Sequence, residues 1–569
     1  MSAARSVFAC NRQALELFDP RAAAALARLP ENAPAGNPEA DPALPLPDAG
    51  AGDTVVLLGL GDGGNLRRLL AVAGVRLLVV DSLSAASLAA LYRHDFSAAL
   101  AAGRLRLLLL PLASPVAREI SVRECIVEVI ACAQGGRLHF VATAGTAHQE
   151  AFFAALCQGM ENWAGAAEQF ARVGTPEPQF DVTVVSPCCV IFDDLARCFH
   201  RLGLRVQLLR VPDDRQAWTI EQVRSARLSL ANTPSRLVVM RNRALLETWQ
   251  PTDCPQPEAM IPAPLATWWW DVPNLSSHVE QRYPRGNAQA FAFARDILPL
   301  LPQGAQWLPP GARTPFVEAG AGPEVEPDIG VSFVGQSRLT DLHANLRHLK
   351  AVLAELGAPA AALSRDLERL RGYGPLHAFL AGHQREIGDQ IATLAAAFPA
   401  HTYYLAYLLA MAVTGCFRLA AIERLAGEGI PFRLYGDDDW RRVPGVGDGN
   451  FMGLCAPEDL PSLYRRSQVN LNLNFMQVSS TVNPKVLDVA AAGGVVLTDH
   501  RPELELLYPD PAARPFAFCS LDELPDRIRA LQQADLGRHR QAVRAHTCAH
   551  HTLQHRARWF LQHFGLPTD

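Results

Sequence analysis

The stretch "VNPKVLDVAAAGGVVLTD", residues 482–499, decides the fold class. Asn483 is a good N-cap, and Pro484 suits the first helical position because an N–H there would have no partner. The Gly-Gly pair stops the periodic run, so a short helix is predicted over residues 484–492. The apolar "VVLTD" that follows has the length of a strand. Helix, glycine turn and strand in this order are typical of a parallel α/β sheet.

Lys485 and Asp488 lie one turn apart on this predicted helix, on the same face. A helix start with free N–H groups and a lysine favours phosphate, and a carboxylate can accept hydrogen bonds from sugar hydroxyls. The ordinary alternative is an exposed ion pair worth a few tenths of a kcal/mol. Lysine occurs elsewhere only at Lys350, so Lys485 stands out in a chain whose other strong cations are arginines.

The composition describes a globular protein of several domains, since 569 residues are 49% hydrophobic and 19% charged. A net charge of −5 argues against nucleic acid as the main partner. Twelve scattered cysteines, without a C-x-x-C pair or zinc spacing, predict free thiols in a reducing cytoplasm. The N-terminus lacks the apolar segment of a signal peptide.

One segment, residues 391–417, contains no Asp, Glu, Lys or Arg. A membrane span would need such a stretch to be continuously apolar. Because Pro399 and His401 interrupt it and helical patterns flank it, a buried helical hairpin is predicted, and no membrane span.

Strand and helix patterns alternate along three parts of the chain, which predicts an α/β fold of doubly wound parallel sheets. The first set is "TVVLLGLG", "RLLVV", "RLRLLLLP" and "RLHFVATAG"; the second is "DVTVVSP", "VQLLRVP", "RLVVMRN", "ATWWWD" and "AQWLPPG"; the third is "DIGVSFVG", "PFRLYG", "VNLNLNF" and "GVVLTD". The predicted units are an N-terminal helix with a Pro/Ala-rich linker (1–52), a Rossmann-like domain (53–175), a first lobe (176–325), a second lobe with a helical insertion at 341–426 (326–525) and C-terminal helices (526–569).

The run "GLGDGG" follows the first predicted strand, and its glycines are Gly59, Gly61 and Gly64. Asp81 ends the next strand, about 20 residues on, as in nucleotide-binding βαβ units. Proteins that bind S-adenosylmethionine use a similar turn, so the pattern does not name a ligand. The alternative is that the glycines only permit a tight turn.

Two further patterns could hold a metal. "YGDDDW" contains Asp437 and Asp439 in an Asp-x-Asp arrangement, but a solvated turn is favoured there. Two i,i+4 histidine pairs lie near the C-terminus, at His546, His550, His551 and His555. Since no carboxylate or cysteine framework accompanies them, a polar helix face is favoured and no metal site is predicted.

The third set, taken together, resembles the C-terminal half of CgeB-like glycosyltransferases. The resemblance is carried by "VSFVGQ", "FRLYGDDDW", "SQVNLNLNFMQVSSTVNPKVLDVAAAGGVVLTDHRPELELLY" and "HHTLQHRARWFL". Upstream, "PLATWWWDVPNL" and "GAQWLPPGARTPF" look like the matching N-terminal lobe. The resemblance, over residues 180–565, implies a GT-B pair of Rossmann-like lobes. It also implies a retaining enzyme that needs no metal or other cofactor and takes a nucleotide sugar as donor, with a protein or glycan acceptor that is unknown.

The resemblance also implies roles for single residues. Lys485 corresponds to a cation facing the donor diphosphate, and Asp488 to a carboxylate facing the ribose. Asp271 is the expected polar group on the acceptor side. The other residues expected at the donor site are Gly335, Tyr435, Gly436 and Asn483. Ser480 stands where related retaining enzymes have a glutamate, which raises the alternative of a catalytically inactive nucleotide-binding or scaffold protein.

The N-terminal part, with "CNRQALELFDPRAAAALARL" ahead of "GLGDGGNLRRLL", resembles the Rossmann-like part of motility accessory factor proteins. These proteins are linked to flagellin glycosylation. A different function for the same domain is methyl transfer from S-adenosylmethionine, which the Gly-rich turn and Asp81 also fit.

Overall fold

The computed structural model contains three separate parallel β-sheets, so the predicted α/β fold class is confirmed. The structure describes residues 47–82, 90–110, 137–143, 177–187, 189–211, 234–242, 263–271, 288–323, 325–355, 358–370, 372–383 and 399–567, with short pieces at 9–14, 43–45, 125, 129, 152–154, 156–158, 229–230 and 386–387. Most of the predicted N-terminal helix and linker lies outside these residues. The predicted domain boundaries stay predictions.

The first sheet has four strands in the order β3-β2-β1-β4. They are β1 (Thr54–Leu58), β2 (Arg76–Ser82), β3 (Leu105–Leu110) and β4 (Leu138–Ala142), with helices α1 (Gly64–Leu70) and α2 (Ser97–Ala101) between them. All four match predicted strands. Their apolar side chains are buried on both faces, as in sheets covered by helices.

The second sheet has six strands in the order β10-β9-β8-β7-β5-β6. They are β5 (Phe180–Ser186), β6 (Val206–Arg210), β7 (Ser235–Arg241), β8 (Leu265–Trp269), β9 (Ala288–Ala292) and β10 (Gln306–Trp307), with helices α3 (Val190–Arg201) and α4 (Thr314–Gly320). Strand β9 was not predicted, because "AQAFA" has no β-branched residue. The strand forms because it pairs in parallel with β8, although its own residues do not favour a strand.

The third sheet has five strands in the order β12-β11-β13-β14-β15. They are β11 (Ile329–Val334), β12 (Phe432–Tyr435), β13 (Ser467–Asn472), β14 (Val496–Asp499) and β15 (Phe516–Phe518). The three-residue β15 was too short to predict. The chain passes from β11 to β12 on one side and then to β13 on the other, so a crevice opens between β11 and β13 at their carboxyl ends.

The described part of the predicted insertion contains the helices α5 (Leu339–Glu355), α6 (Ala358–Arg369), α7 (Tyr373–Gly382) and α8 (Pro399–Gly427). Of the two residues predicted to interrupt the uncharged segment, Pro399 is where the described helix begins, whereas the prediction for His401 is wrong. Pro399 is the first residue of a 29-residue helix, where a proline costs no hydrogen bond, and His401 lies inside that helix. Within the described part of the chain, no helix is both long and apolar enough to cross a membrane.

The remaining helices are α9 (Leu460–Arg466), α10 (Pro484–Ala492), α11 (Glu503–Leu507), α12 (Leu524–Gln533), α13 (Gly537–His550) and α14 (Leu553–His563). Helix α10 has the predicted bounds. Helix α14 follows the third sheet in the chain but packs against α3 of the first lobe. Its Phe560 also contacts Trp268 of β8. The two lobes therefore share one apolar cluster around this last helix.

Candidate donor site at the third sheet

The candidate site lies at the carboxyl ends of β11 and β13, where the order of the third sheet reverses. Strand β11 ends at Val334 and turns through Gly335 and Gln336. A long loop leads from β13 to α10. The site is therefore formed by one tight turn, one loop and one helix start, all at the same edge of the sheet.

Lys485 reaches the β11 turn from the first turn of α10. Its Nζ donates to the carbonyl oxygen of Val334 at 2.5 Å and lies 5.4 Å from the ring centre of Phe333. The expectation of free N–H groups at this helix start is wrong. Pro484 has none, and the side chain of Asn483 accepts from the N–H of Lys485 at 3.1 Å. The lysine and the helix dipole remain as the features that favour an anion.

Arg418 reaches the same turn from α8, although only 8% of the residue is exposed. Its Nη1 donates to the carbonyl oxygen of Gln336 at 3.2 Å, and the guanidinium lies 5.5 Å from the ring centre of Phe475. Its buried Nε has no hydrogen-bond partner in the described part of the chain. Sequence reasoning missed Arg418. The signal was an arginine directly after the long uncharged segment, where burial of a charge is costly.

Among the described residues, the two cations of this cluster have no carboxylate in direct contact. The negative charges that act on them do so from further away: Asp488 on Lys485, and Asp499 and Asp437 on Arg418. In the described part of the chain, neither Lys485 nor Arg418 has a carboxylate oxygen within 4.0 Å. Burial, together with the positive charge of Arg418, lowers the pKa of Lys485 to about 7. Burial and the nearby charge of Arg338 lower the pKa of Arg418 to about 10. Two buried cations that repel each other would both be stabilised by an anion.

The predicted glycines hold the turn close to its neighbours. A side-chain carbon on Gly335 would lie 3.0 Å from the Phe333 ring and 3.9 Å from Lys485 Nζ. One on Gly436 would overlap the carbonyl oxygen of Gly335. Tyr435 ends β12, and its carbonyl oxygen accepts from Gly335 N–H at 2.9 Å. These residues shape the site through the backbone.

Asp488 does not pair with Lys485, and it is not on the surface: only 2% of the residue is exposed. One carboxylate oxygen accepts from the backbone N–H of Arg313 at 2.9 Å, and the other from its guanidinium, with Nε at 2.9 Å and Nη2 at 2.8 Å. The alternative of an exposed lysine–aspartate pair is therefore wrong. Arg313 was not predicted, because it lies in the connection between the lobes, where no local pattern marks it.

Asp271 follows β8 of the second sheet and faces the third. Its carboxylate accepts from Arg241 at 2.6 Å, Asn242 at 2.9 Å and, across the lobes, Gln477 at 3.3 Å. Burial acts to raise the pKa of Asp271, but the charge of Arg241 and these hydrogen bonds hold it below its usual value. Asp271 therefore carries a stable negative charge at the junction of the lobes.

Ser480 lies between two carboxylates. Its Oγ is 2.9 Å from Asp296 Oδ1 and 2.5 Å from Glu503 Oε1. Glu503 is buried and also accepts from Trp307 Nε1 at 3.0 Å. Ser480, at the position where the resemblance implies a glutamate, thus contributes to contacts between the lobes.

The Gly-rich turn of the first sheet is held by its own hydrogen bonds. Asp81 accepts from Leu60 N–H at 2.9 Å. Gly59 and Gly61 have φ angles of 87° and 57°, which glycine adopts without strain. Gly64 begins α1, and its N–H donates to Asp62 at 2.8 Å. The structure brings these predicted residues together in the first sheet, whereas Lys485 belongs to the site at the third sheet.

The two candidate metal patterns have protein partners. Asp437 accepts from Ser337, and Asp439 contacts Thr340 and Arg442 in a 3-10 turn. His546 and His551 each place Nε2 within hydrogen-bond distance of the Leu507 carbonyl oxygen, His555 belongs to a capping box, and His550 packs on its histidine neighbours. Among the described residues, no group of three His, Cys, Asp or Glu side chains could hold a metal ion.

Residues 416–562 match the sequence profile of a family described as glycosyl transferase-like. The match contains Arg418 and Lys485 and spans the last four strands of the third sheet. No curated protein matches the chain.

Several solved structures are similar at low identity. A glycosyltransferase from Rickettsia africae ESF-5 is 10% identical, with a TM-score of 0.40 over 67% of this chain and 97% of that one. The β-glucosyltransferase BGT of T4 phage, solved with UDP-glucose, is 10% identical, with a TM-score of 0.33 over 68% and 99%. The MAf glycosyltransferase of Magnetospirillum magneticum AMB-1 is 16% identical, with a TM-score of 0.16 over 48% and 42%. Scores this low assign neither fold nor activity.

Proposed function

We propose that this protein is a glycosyltransferase that moves a sugar from a nucleotide diphosphate donor to an acceptor, either a protein or a glycan. The observation that carries the proposal is the buried pair Lys485 and Arg418. Both hold the turn after β11, and in the described part of the chain neither has a carboxylate within 4.0 Å. A diphosphate supplies the missing negative charge.

In the proposed mechanism, the leaving group is the nucleoside diphosphate, on which negative charge grows as the sugar–phosphate bond breaks. Lys485 and Arg418 stabilise that charge in a site sheltered from water, where electrostatic interactions are strong. Gly335 keeps the backbone of the β11 turn free of a side chain, which would otherwise lie 3.9 Å from Lys485 Nζ, so the diphosphate can approach the turn beside the lysine. The donor is a substrate, and the mechanism uses no other cofactor.

Asp271 is the proposed polar group on the acceptor side. Its carboxylate is charged and lies where the second sheet faces the loop after β13. A carboxylate there can orient an acceptor hydroxyl. We include the CgeB-like assignment and a retaining outcome without metal in the proposal, because both are implied by the sequence resemblance, and a cytoplasmic location, because the scattered cysteines predict it.

A thermal-shift screen of UDP-, GDP-, dTDP- and CMP-sugars tests the proposal. A ligand at 100 times its dissociation constant should stabilise the protein by about 2.7 kcal/mol. Slow hydrolysis of the stabilising donor, without acceptor, should follow. If none of these sugars shifts the melting temperature, the proposal fails.

A second candidate is a catalytically inactive protein that binds the nucleotide and acts as a scaffold. Ser480 favours it, because its hydroxyl is engaged by Asp296 and Glu503 at the position of a glutamate in related enzymes. Donor binding without any hydrolysis over hours would support this candidate. Measurable hydrolysis that Lys485→Met abolishes would exclude it.

A further inference from the structure

Asp488 has a partner that the resemblance to glycosyltransferases does not explain. Its carboxylate, on the buried face of α10, is fully engaged by Arg313, through one backbone and two guanidinium donors. Three donors from one residue fix both the position and the rotation of a side chain. Because Lys485 lies three residues earlier on the same helix, a bond that holds Asp488 also holds the helix turn from which Lys485 extends.

Arg313 is itself fixed from the other lobe. The next residue, Thr314, donates its backbone N–H to Asp194 of α3 at 2.7 Å. The guanidinium of Arg313 lies 4.5 Å from the ring centre of Phe316. Two residues earlier in the chain, Gly311 lies so close to Thr552 that a side-chain carbon would overlap its backbone. Arg313 is thus held in the connection between the lobes by several independent contacts.

The charges agree with this arrangement. Arg313 is the cation between two buried carboxylates, Asp488 and Asp194, which belong to different lobes. Arg197, the other cation near Asp194, is largely exposed, with its Nη1 3.9 Å from Asp194 Oδ1. Removal of either partner of the Arg313–Asp488 pair would leave an uncompensated buried charge, whereas replacement of both by apolar residues of similar size is often tolerated.

We propose that Arg313 is a positioning residue, which holds Asp488 and through it sets Lys485 against the turn after β11. The inference rests on the proposed function, because it assumes that Lys485 binds the donor diphosphate. It gives Asp488 a different role from the ribose contact implied by the resemblance. It also couples the second sheet to the donor site through Asp194, since a shift between the lobes would move Arg313.

Binding of inorganic pyrophosphate, and in parallel of the nucleosides uridine, guanosine and thymidine, measured by calorimetry at one fixed pH, tests the inference. The four proteins are the wild type, Lys485→Met, the paired replacement Arg313→Met with Asp488→Leu, and the triple variant. We expect the paired replacement to lower the affinity about tenfold, because a small misplacement of a binding group costs at least that much. The triple variant should bind no more weakly than Lys485→Met alone, because the pair acts through Lys485.

Three outcomes would overturn the inference. The paired replacement could bind pyrophosphate as the wild type does, which would make Arg313 merely structural. The pyrophosphate affinity of the triple variant could fall by the product of the two fold-losses measured for Lys485→Met and for the paired replacement. That result would mean that Arg313 acts independently of Lys485. A loss confined to nucleosides, with pyrophosphate affinity unchanged, would return Asp488 to the ribose.

The proposed function fails separately, if the wild type itself does not bind pyrophosphate; the inference then falls with it. If the paired replacement does not fold, Arg313→Lys takes its place, since lysine keeps the charge but cannot form the forked contact. We expect a loss of several-fold for that variant, and unchanged affinity would count against the inference.

Discussion

Two strand–turn–helix units in this chain each have glycine in the turn and differ in what their polar groups do. The turn after β1 contains Gly59 and Gly61, and the turn after β11 contains Gly335. Both lie at the carboxyl ends of strands where a parallel sheet reverses its order. In the first unit the carboxylate of Asp81 and the hydroxyl of Thr143 bond the backbone of the turn. In the other unit two cations bond the backbone and have no carboxylate within 4.0 Å in the described part of the chain.

The difference separates a structural turn from a binding site. A carboxylate bonded to a backbone N–H satisfies a group that would otherwise be costly to bury. A buried cation bonded only to carbonyl oxygens is compensated only by more distant carboxylates, here Asp488 for Lys485, and Asp499 and Asp437 for Arg418, so part of the cost of burying the charge remains. The presence of glycine does not distinguish the two cases, because it bears only on the backbone conformation and on space near the backbone.

The largest expected effect comes from removing both cations. Lys485→Met with Arg418→Met should lower the affinity for a nucleoside diphosphate by roughly 10²- to 10⁴-fold, since each charge-assisted contact is worth about 1.5–3 kcal/mol. Calorimetry with the best binder among UDP, GDP and dTDP measures it. The melting temperature should not fall, because the substitutions remove two buried, mutually repelling charges. A large loss of stability with unchanged affinity would make both cations structural.

The second effect is a dependence of nucleoside diphosphate affinity on pH, which we expect from Lys485 at the turn after β11. Unbound Lys485, with a pKa of about 7, is largely neutral above that pH, whereas a bound anion raises the pKa. Binding of a nucleoside diphosphate then takes up a proton. The affinity for that ligand should therefore fall by up to about tenfold per pH unit between pH 7.5 and 9. The second phosphate ionisation, near pH 6, is complete in this range.

Lys485→Arg is the matched control for this pH dependence. Arginine stays charged throughout, so the affinity of the variant should be nearly constant between pH 7.5 and 9. Equal slopes for the wild type and Lys485→Arg would show that a different group titrates. A flat profile for the wild type would mean that the lysine is already charged when unbound.

The contribution of the sequence is clearest in α10 and in the strands around it. Capping by Asn483, Pro484 at the first position and the glycines after Ala492 are local signals, and the helix has the predicted bounds. Strands β9 and β15 were missed, because their pairing depends on neighbours distant in sequence. Lys485 was singled out by its rarity, whereas Arg418 is 67 positions away and joins it only through tertiary folding.

The partner of Asp488 shows the limit of transfer from a resemblance. A carboxylate at that position was expected to face a ribose, yet it is engaged by Arg313, which lies 175 residues earlier. No local pattern encodes a contact across a connection between lobes. Its test is the calorimetric comparison described for Arg313, in which nucleosides and pyrophosphate report different contacts.

The third effect concerns Asp81 and should change stability without changing binding. Asp81→Ala leaves the N–H of Leu60 without its buried acceptor, which costs about 2 kcal/mol. Chemical denaturation should show this loss, while affinity for the nucleoside diphosphate stays at the wild-type value. Calorimetry with S-adenosylmethionine on the wild type tests the alternative of methyl transfer, since measurable heat would mean that the turn also serves a ligand.

The smallest expected effect belongs to Thr143, whose hydroxyl lies 3.3 Å from the carbonyl oxygens of Leu58 and Gly59. Thr143→Val keeps the shape of the side chain and removes these contacts, so it should cost about 1 kcal/mol. Denaturation midpoints measure the loss, and Thr143→Ser, which keeps the hydroxyl, is the control for hydrogen bonding. If valine is harmless and serine is not, the methyl group supports the turn, and hydrogen bonding would then no longer explain why the first turn is closed. A loss of nucleoside diphosphate affinity in Thr143→Val would contradict the comparison itself, because it would connect the first sheet to a site assigned to the third.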